Sequence, residues 1–371
     1  MKKSLITAGL CVALASFVAM PATSHADPAA PDMSDKLVGK TIFLDPGHQG
    51  TNHSENLSRP VDDGRGGTKE CQTTGMTSMN GVPEHTINWK VSELVKTSLE
   101  SLGAKVVLSR ADDSGWGGCV DERAKAANAS GANLAVSIHA DGAPAADHGF
   151  HLIIPQLPIP LAAANAAQSK DGLAASKAIR DAYVKSGFSP ANYAGAVDGL
   201  QTRSDVAGPA LTTVPLAFVE MGNGANKDDA ALLEGGEGQL KHAIAITTGI
   251  VTYLLGPNPG TTVVRGTPPD TTATEPDATE TDTTAPSTKP KTTKPKTTKP
   301  KTTKPGTAKP KASTPDSAST DSVVDMLQPL LGALGIPGAD ALVNPTTVGL
   351  AGDLASQLLD LGIGALSKAG N

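Results

Sequence analysis

Short apolar runs alternate with stretches of helical periodicity between residues 36 and 255. The apolar runs are rich in branched side chains and predict strands at 41–44, 105–109, 134–139, 149–154 and 216–221. The stretches between them predict helices at 84–102, 121–130, 169–186 and 228–255. In the first of these helices Ile87, Val91 and Leu94 recur on one face. This alternation predicts an α/β domain over residues 36–255, with a largely parallel sheet covered by helices.

The first 26 residues have the pattern of an export signal. A basic start, Met1 to Lys3, precedes an apolar run from Leu5 to Met20, and Ser24-His25-Ala26 gives the small-x-small pattern before the predicted cleavage site after Ala26. A membrane anchor is the alternative, but an apolar run of about 16 residues is short for a span of about 20. We therefore expect a protein exported to the periplasm, the cell envelope or the exterior, with no transmembrane segment after cleavage.

The last aromatic residue is Tyr253, so the predicted domain ends near residue 255. Residues 257–319 are mainly Thr, Pro, Lys and acidic residues, a composition that predicts a disordered linker. Residues 320–371 are apolar again, and Val324, Leu327, Leu331 and Leu334 recur at helical spacing. Three roles of this predicted helical tail stay open: docking on the domain, binding an unknown partner, or lying on a membrane surface.

The net charge and the cysteine content further restrict the kind of protein that this sequence can encode. A formal net charge of −6 argues against a general nucleic-acid binder, which would carry a basic face. Removal of the export signal leaves Cys71 and Cys119, an even number in an oxidising compartment, and predicts a disulfide. Closing that loop would stabilise the fold by roughly 4 kcal/mol on the chain-entropy estimate.

The candidate chemistry lies at the ends of predicted strands. His48 follows the first strand, His139 ends the third, and Glu220 ends the last. The carboxyl ends of parallel strands converge on one crevice, where open α/β sheets place their sites. A single histidine at a strand end is more often structural, but three such polar residues together favour a functional site.

Two histidines and one glutamate form a ligand set typical of catalytic zinc, with water in the fourth position. A second carboxylate must then move the proton of that water to the leaving group. Glu84 opens a predicted helix and is the favoured ligand, with Glu220 as the base. The other ligand candidates are Glu70, Glu55 and His53, which lie in a glycine-rich stretch without periodicity.

The order of these motifs resembles one family. The matching residues are Asp45-Pro46-Gly47-His48, Glu84, Ser109-Arg110, Arg123, Ser137-Ile138-His139-Ala140, Gly149-Phe150 and Val219-Glu220. They resemble the zinc-dependent N-acetylmuramoyl-L-alanine amidases of the amidase-3 type. The resemblance implies a mixed sheet of about six strands flanked by helices, and hydrolysis of the peptidoglycan amide between N-acetylmuramic acid and L-alanine. It also implies His48, Glu84 and His139 as Zn²⁺ ligands and Glu220 as the catalytic base.

Some features depart from the family pattern or stay open. His48 and Glu84 are separated by 35 residues, more than is usual, and the insertion holds Cys71, which predicts a tethered loop beside the crevice. Arg110 and Arg123 could bind a carboxylate of the stem peptide, or form ordinary ion pairs with Asp112 or Asp121. The alternative function is a catalytically silent or autoinhibited wall-binding protein, and the presence of all three ligands and Glu220 argues against it.

Overall fold

The computed structural model of the chain describes residues 35–256, 329–330 and 332–333. The predicted export signal, the linker and nearly all of the tail lie outside the described residues. Of the tail, Leu330 is helical and fully buried, and it belongs to the main hydrophobic core together with residues of the domain. Within the described ranges no helix has the length and hydrophobicity needed to cross a membrane.

The centre of the domain is one mixed sheet of six strands. In spatial order these are β4 (Lys105–Leu108), β1 (Thr41–Pro46), β5 (Leu134–Asp141), β8 (Leu216–Asn223), β6 (His151–Pro155) and β7 (Leu200–Arg203). Neighbouring strands are parallel except for β6 and β8, which are antiparallel. The predicted α/β class and the mixed, mostly parallel sheet are therefore confirmed.

Helices cover both faces of this sheet. They are α1 (Glu84–Ser101), α2 (Val120–Ala129), α3 (Ala162–Ala167), α4 (Leu173–Lys185), α5 (Ala207–Leu211), α6 (Lys227–Glu234) and α7 (Gly236–Leu255), with a π-helical turn over Gln168–Gly172 between α3 and α4. The main core packs α1, α4 and α7 against one face, where β1 contributes Ile42 and Leu44. Phe43, which points to the opposite face, belongs to a smaller core with Ala127 of α2.

A short hairpin lies outside the main sheet. Its strands, β2 (Pro60–Asp62) and β3 (Thr68–Glu70), pair antiparallel. A disulfide joins Cys71, directly after β3, to Cys119, the residue before α2. The hairpin is thus tied to α2, and the predicted disulfide is present in the structure.

The elements differ from the predicted ones where local signals are weak. The edge strand β7 and the hairpin were not predicted, because short exposed strands carry little hydrophobic pattern. The long helix predicted at 228–255 is two helices, since Gly235 has an extended backbone that ends α6 before α7 begins. The local signal for this break was the pair Gly235-Gly236, since glycine is unfavourable inside a helix.

Candidate active site

Three strands carry polar side chains to the same edge of the sheet. His48 follows β1 in a left-handed backbone conformation, with φ of 61°. His139 lies near the end of β5, and Glu220 lies in β8. His139 and Glu220 are direct partners in the pairing of β5 with β8, so both point to the same face. The convergence expected from the sequence is therefore present.

Both imidazoles contact one carboxylate. Nε2 of His48 lies 3.1 Å from Oε1 of Glu84, and Nδ1 of His139 lies 3.0 Å from the same oxygen. The ligand atoms of the three residues all lie within 4.8 Å of one another. Atoms bound to zinc at about 2.0–2.1 Å in a tetrahedral site lie roughly 3.4 Å apart, so this donor set fits that metal.

Glu84 is held rigidly at the start of α1. Its Oε2 accepts a hydrogen bond from the backbone N–H of Met76 at 2.8 Å. Its Oε1 accepts from the side chain of Asn88 and from the backbone N–H of Ala140, each at 3.1 Å. Burial alone would raise the pKa of Glu84, but the charge of His48 and hydrogen bonds from both imidazoles hold that pKa well below its usual range. The side chain is therefore an ionised carboxylate.

The two histidines are oriented by contacts on their other atoms. The Nδ1–H of His48 donates to the carbonyl oxygen of Thr73 at 3.0 Å, so Nε2, which faces Glu84, is the ring nitrogen available to a metal. The ring of His139 stacks on Phe218 at a centroid distance of 4.4 Å. Burial lowers the pKa of His139, which favours the neutral ring that a metal ligand needs.

The alternative ligand candidates lie elsewhere. His53 packs beside Trp116, and its Nδ1 accepts a hydrogen bond from the backbone N–H of Glu55. Glu70 is exposed at the end of β3. Within the described residues, a side-chain group with metal-binding geometry is formed by His48, Glu84 and His139. The alternative candidates are not part of this group.

Glu220 lies beside this cluster without a partner of its own. Its Oε2 is buried and makes no hydrogen bond within the described residues. Burial raises the pKa of Glu220 well above its usual value, and the negative charges of Glu84 and Asp141 raise it further. Its antiparallel partner in β6 is His151, which is also buried. Glu220 is thus a carboxyl group prepared to hold a proton.

A cavity of about 580 Å³ opens from the cluster across the face of the sheet that carries Phe43. That volume lies within the range of about 300–1,000 Å³ found for small-molecule sites. Its floor is largely apolar, and its rim comes from the hairpin, α2 and the segment around α5. The lining of the cavity includes Lys69, Arg123, Ile153, Arg203, Phe218 and Glu220.

This arrangement matches a known family. The model of the Amidase_3 family, described as N-acetylmuramoyl-L-alanine amidase, matches residues 42–252, which contain the three residues of the cluster and Glu220. The chain belongs to this family. It is therefore an N-acetylmuramoyl-L-alanine amidase, an enzyme that acts on peptidoglycan.

Individual relatives agree with this assignment. The amidase domain is 42% identical over 218 residues to the N-acetylmuramoyl-L-alanine amidase Rv3717 of Mycobacterium tuberculosis, covering 59% of this chain and 88% of the relative. It matches the crystal structure of the amidase Ami1 from Mycobacterium smegmatis with 43% identity and a TM-score of 0.56, covering 59% of this chain and 98% of that one. The crystal structure of Ami1 from Mycobacterium abscessus matches with 42% identity and the same TM-score, covering 59% of this chain and 100% of that one.

Arg110 and Arg123 of the amidase both bind the turn that carries His48. Nε of Arg110 and Nη1 of Arg123 donate to the carbonyl oxygen of Pro46, at 3.0 and 2.9 Å, and Arg123 also donates to the carbonyl of His48. Their carboxylate partners differ from the suggested Asp112 and Asp121: Arg110 pairs with Asp113 at 3.1 Å, and Arg123 pairs with Asp45 at 2.7 Å. These contacts hold His48 in place, and stem-peptide binding by the two arginines stays a prediction.

Asp45 was missed by the sequence analysis as a functional residue. Its carboxylate accepts hydrogen bonds from Ser109 and Ser137, both at 2.7 Å, as well as from Arg123. Burial would raise its pKa, but the charges of Arg123 and His139 and these hydrogen bonds lower the pKa to about 2. The available signal was its position directly before Pro-Gly-His at a strand end, where a charged residue needs a partner.

Proposed function

We propose that the amidase holds Zn²⁺ through His48, Glu84 and His139 and uses Glu220 as its proton-transferring base. The observation that carries this proposal is the donor set itself, in which two imidazole nitrogens lie 3.1 and 3.0 Å from one carboxylate oxygen. Three protein ligands with a fourth position open to the cavity are typical of catalytic zinc sites. Zinc bound there would polarise the scissile carbonyl and lower the pKa of water toward neutrality.

Glu220 would transfer the proton of the attacking water to the leaving nitrogen. Its carboxyl group lies next to His139 in the sheet, and its Oε2 faces no hydrogen-bond donor in the described part of the chain. A base with a raised pKa can take a proton from the attacking water and then give it to the leaving nitrogen. The raised pKa of Glu220, caused mainly by burial, is consistent with both halves of that role.

The bond broken would be the amide between the lactyl group of N-acetylmuramic acid and the L-alanine of the stem peptide. Water adds to the carbonyl carbon, the C–N bond breaks, and the nitrogen leaves as the free amine of L-alanine. Since that substrate lies outside the cytoplasm, we further propose that residues 1–26 direct export and are removed.

The experiment is mass spectrometry of the soluble products released from peptidoglycan by the full chain lacking residues 1–26. We expect stem peptides with a free L-alanine amino terminus, lost after treatment with a zinc chelator and regained after adding zinc. Peptides trimmed at their carboxyl ends, with the L-alanine amide intact, would instead indicate a carboxypeptidase. Tight peptidoglycan binding without any released product would favour the wall-binding alternative.

A further inference from the structure

Two cationic side chains line the cavity and have no part in the chemistry proposed above. Lys69 comes from β3 of the hairpin, and Arg203 is the last residue of β7. Both are partly buried, and they belong to segments far apart in the sequence. Partly buried cations in a ligand-sized cavity can bind an anionic ligand through charge-assisted hydrogen bonds.

The strand register turns Arg203 toward the active-site face. His151 pairs with Glu220, and Pro155 of the same strand pairs with Arg203. Residues 151 and 155 of β6 point to the same face because side chains alternate with a period of two. Their partners Glu220 and Arg203 therefore share that face, and both line the cavity.

The hydrogen bonds of the two cations leave donors free. Nε and Nη2 of Arg203 donate to the carboxylate of Asp205 at 2.9 and 2.5 Å, while Nη1 has no acceptor within the described residues. Nζ of Lys69 donates to the backbone oxygen of Asp205 at 2.9 Å, and an ammonium group has three N–H donors. Asp205 thus orients both side chains and leaves at least two N–H groups of Lys69 and the Nη1 group of Arg203 for a ligand.

Several carboxylates act on this pair: Asp205 on both cations, Asp63 and Glu70 on Lys69, and Glu220 and Asp141 on Arg203. The side chain of Asp205 is 66% exposed, so water screens much of its charge. Glu70 also lines the cavity and is exposed. Burial lowers the pKa of Lys69, and the charge of Arg203 opposes the attraction of Asp205. A further carboxylate between Lys69 and Arg203 would relieve this repulsion.

We propose that Lys69 and Arg203 form a carboxylate-binding subsite for the stem peptide. This inference rests on the proposed function, because the peptide is the charged half of the substrate that leaves with the L-alanine amine. The ligand is a free carboxylate on the residue that follows L-alanine. The apolar floor formed by Phe218 and Ile153 lies in the same cavity as the two cations and suits the hydrocarbon part of that peptide.

The disulfide gives this subsite its rigidity. Cys71 lies two residues after Lys69 and is bonded to Cys119 at the start of α2. A second contact of the hairpin runs from Arg59 to Glu122 of α2, at 3.3 Å. Because both contacts tie the hairpin to α2 before the ligand arrives, little ordering of the backbone around Lys69 is needed on binding.

The test compares two N-acetylmuramoyl-L-alanyl peptides that differ only in the second residue, which carries either a free α-carboxylate or its carboxamide. We expect the zinc-loaded chain to cleave the carboxylate form with a kcat/KM about 10- to 100-fold higher, as for hydrogen bonds to a charged group. Lys69→Met and Arg203→Gln should each remove most of that preference, mainly through KM. Lys69→Arg should keep it, and Lys177→Met on α4, an exposed lysine on the other side of the sheet, should leave it unchanged.

Binding of the two released peptides, measured by calorimetry, separates this subsite from the proposed catalysis. Cleavage of both substrates with equal kcat/KM would overturn the subsite and leave the amidase mechanism standing. Tighter binding of the carboxylate peptide that depends on Lys69, without cleavage of either substrate, would support the subsite and overturn the catalytic proposal. Equal affinities for both peptides would overturn the subsite whatever the turnover.

Discussion

Replacing Gly47 by alanine tests the metal site through a residue that is not a ligand. A β-carbon at Gly47 would lie 2.3 Å from Cε1 and 2.5 Å from Nδ1 of His139, whereas tolerable contacts begin near 3.4 Å. The ring must therefore move by about 1.1 Å, the difference between these distances. It cannot move freely, because Phe218 stacks on it and the N–H of Gly47 is bonded to the carbonyl of Ile138.

A displacement of that size exceeds the tolerance of about ±0.2 Å in metal–ligand distances. We expect Gly47→Ala to weaken zinc binding roughly 10- to 100-fold, as do changes in the residues that orient a ligand. Competition with a chelating dye measures the affinity, and thermal unfolding checks the fold. Gly115→Ala is the matched control, because its β-carbon would meet Oδ1 of Asp112 at an ordinary 3.5 Å. A folded Gly47→Ala protein with the zinc affinity of the parent would refute the reasoning.

Two further perturbations address the scaffold of the site. Asp45→Asn should lower the free energy of unfolding at pH 7 by about 2 kcal/mol or more, since the pKa of Asp45 falls from about 3.9 in the unfolded chain to about 2 in the folded one. This contribution is present above the unfolded pKa and is lost as pH falls through about 2. The free energies of unfolding of the parent and the variant, measured with denaturant, should therefore converge as the pH is lowered through that window. A difference in free energy that stays constant with pH would contradict the prediction. Replacing Cys71 and Cys119 together by serine should destabilise the fold by about 2–4 kcal/mol, because the loop of 48 residues is no longer closed. Unchanged denaturant stability of that double variant, relative to the oxidised parent, would count against a structural role for the bond.

The fold was predictable where the pattern is local and repeated. The five predicted strands lie at β1, β4, β5, β6 and β8, because their branched side chains are buried or, in β4, partly buried. The hairpin around β2 and β3 carries no such pattern, and its position depends on a bond between Cys71 and Cys119, which are 48 residues apart. The break at Gly235 had a local signal in Gly235, Gly236 and Gly238, which the hydrophobic pattern of this segment does not include.

The residues of the site also fall into those that the sequence can locate and those that it cannot. His48, His139 and Glu220 stand at strand ends, which sequence can locate, and Glu84 opens a helix that sequence can also locate. The order of strands then brings them together by a rule of parallel sheets. Asp45 and Lys69 form hydrogen bonds with distant segments, and Arg203 lies at the end of a short edge strand. No local pattern in the sequence reveals such positions.

The most direct test of the account is Glu220→Gln, studied beside the parent protein for both zinc content and turnover. The variant keeps the size of the side chain but cannot take a proton, and it leaves His48, Glu84 and His139 intact. We expect one zinc per chain in both proteins and a loss of turnover by several orders of magnitude in the variant. Turnover of the zinc-loaded variant equal to that of the parent would contradict the role assigned to Glu220 and with it the proposed mechanism.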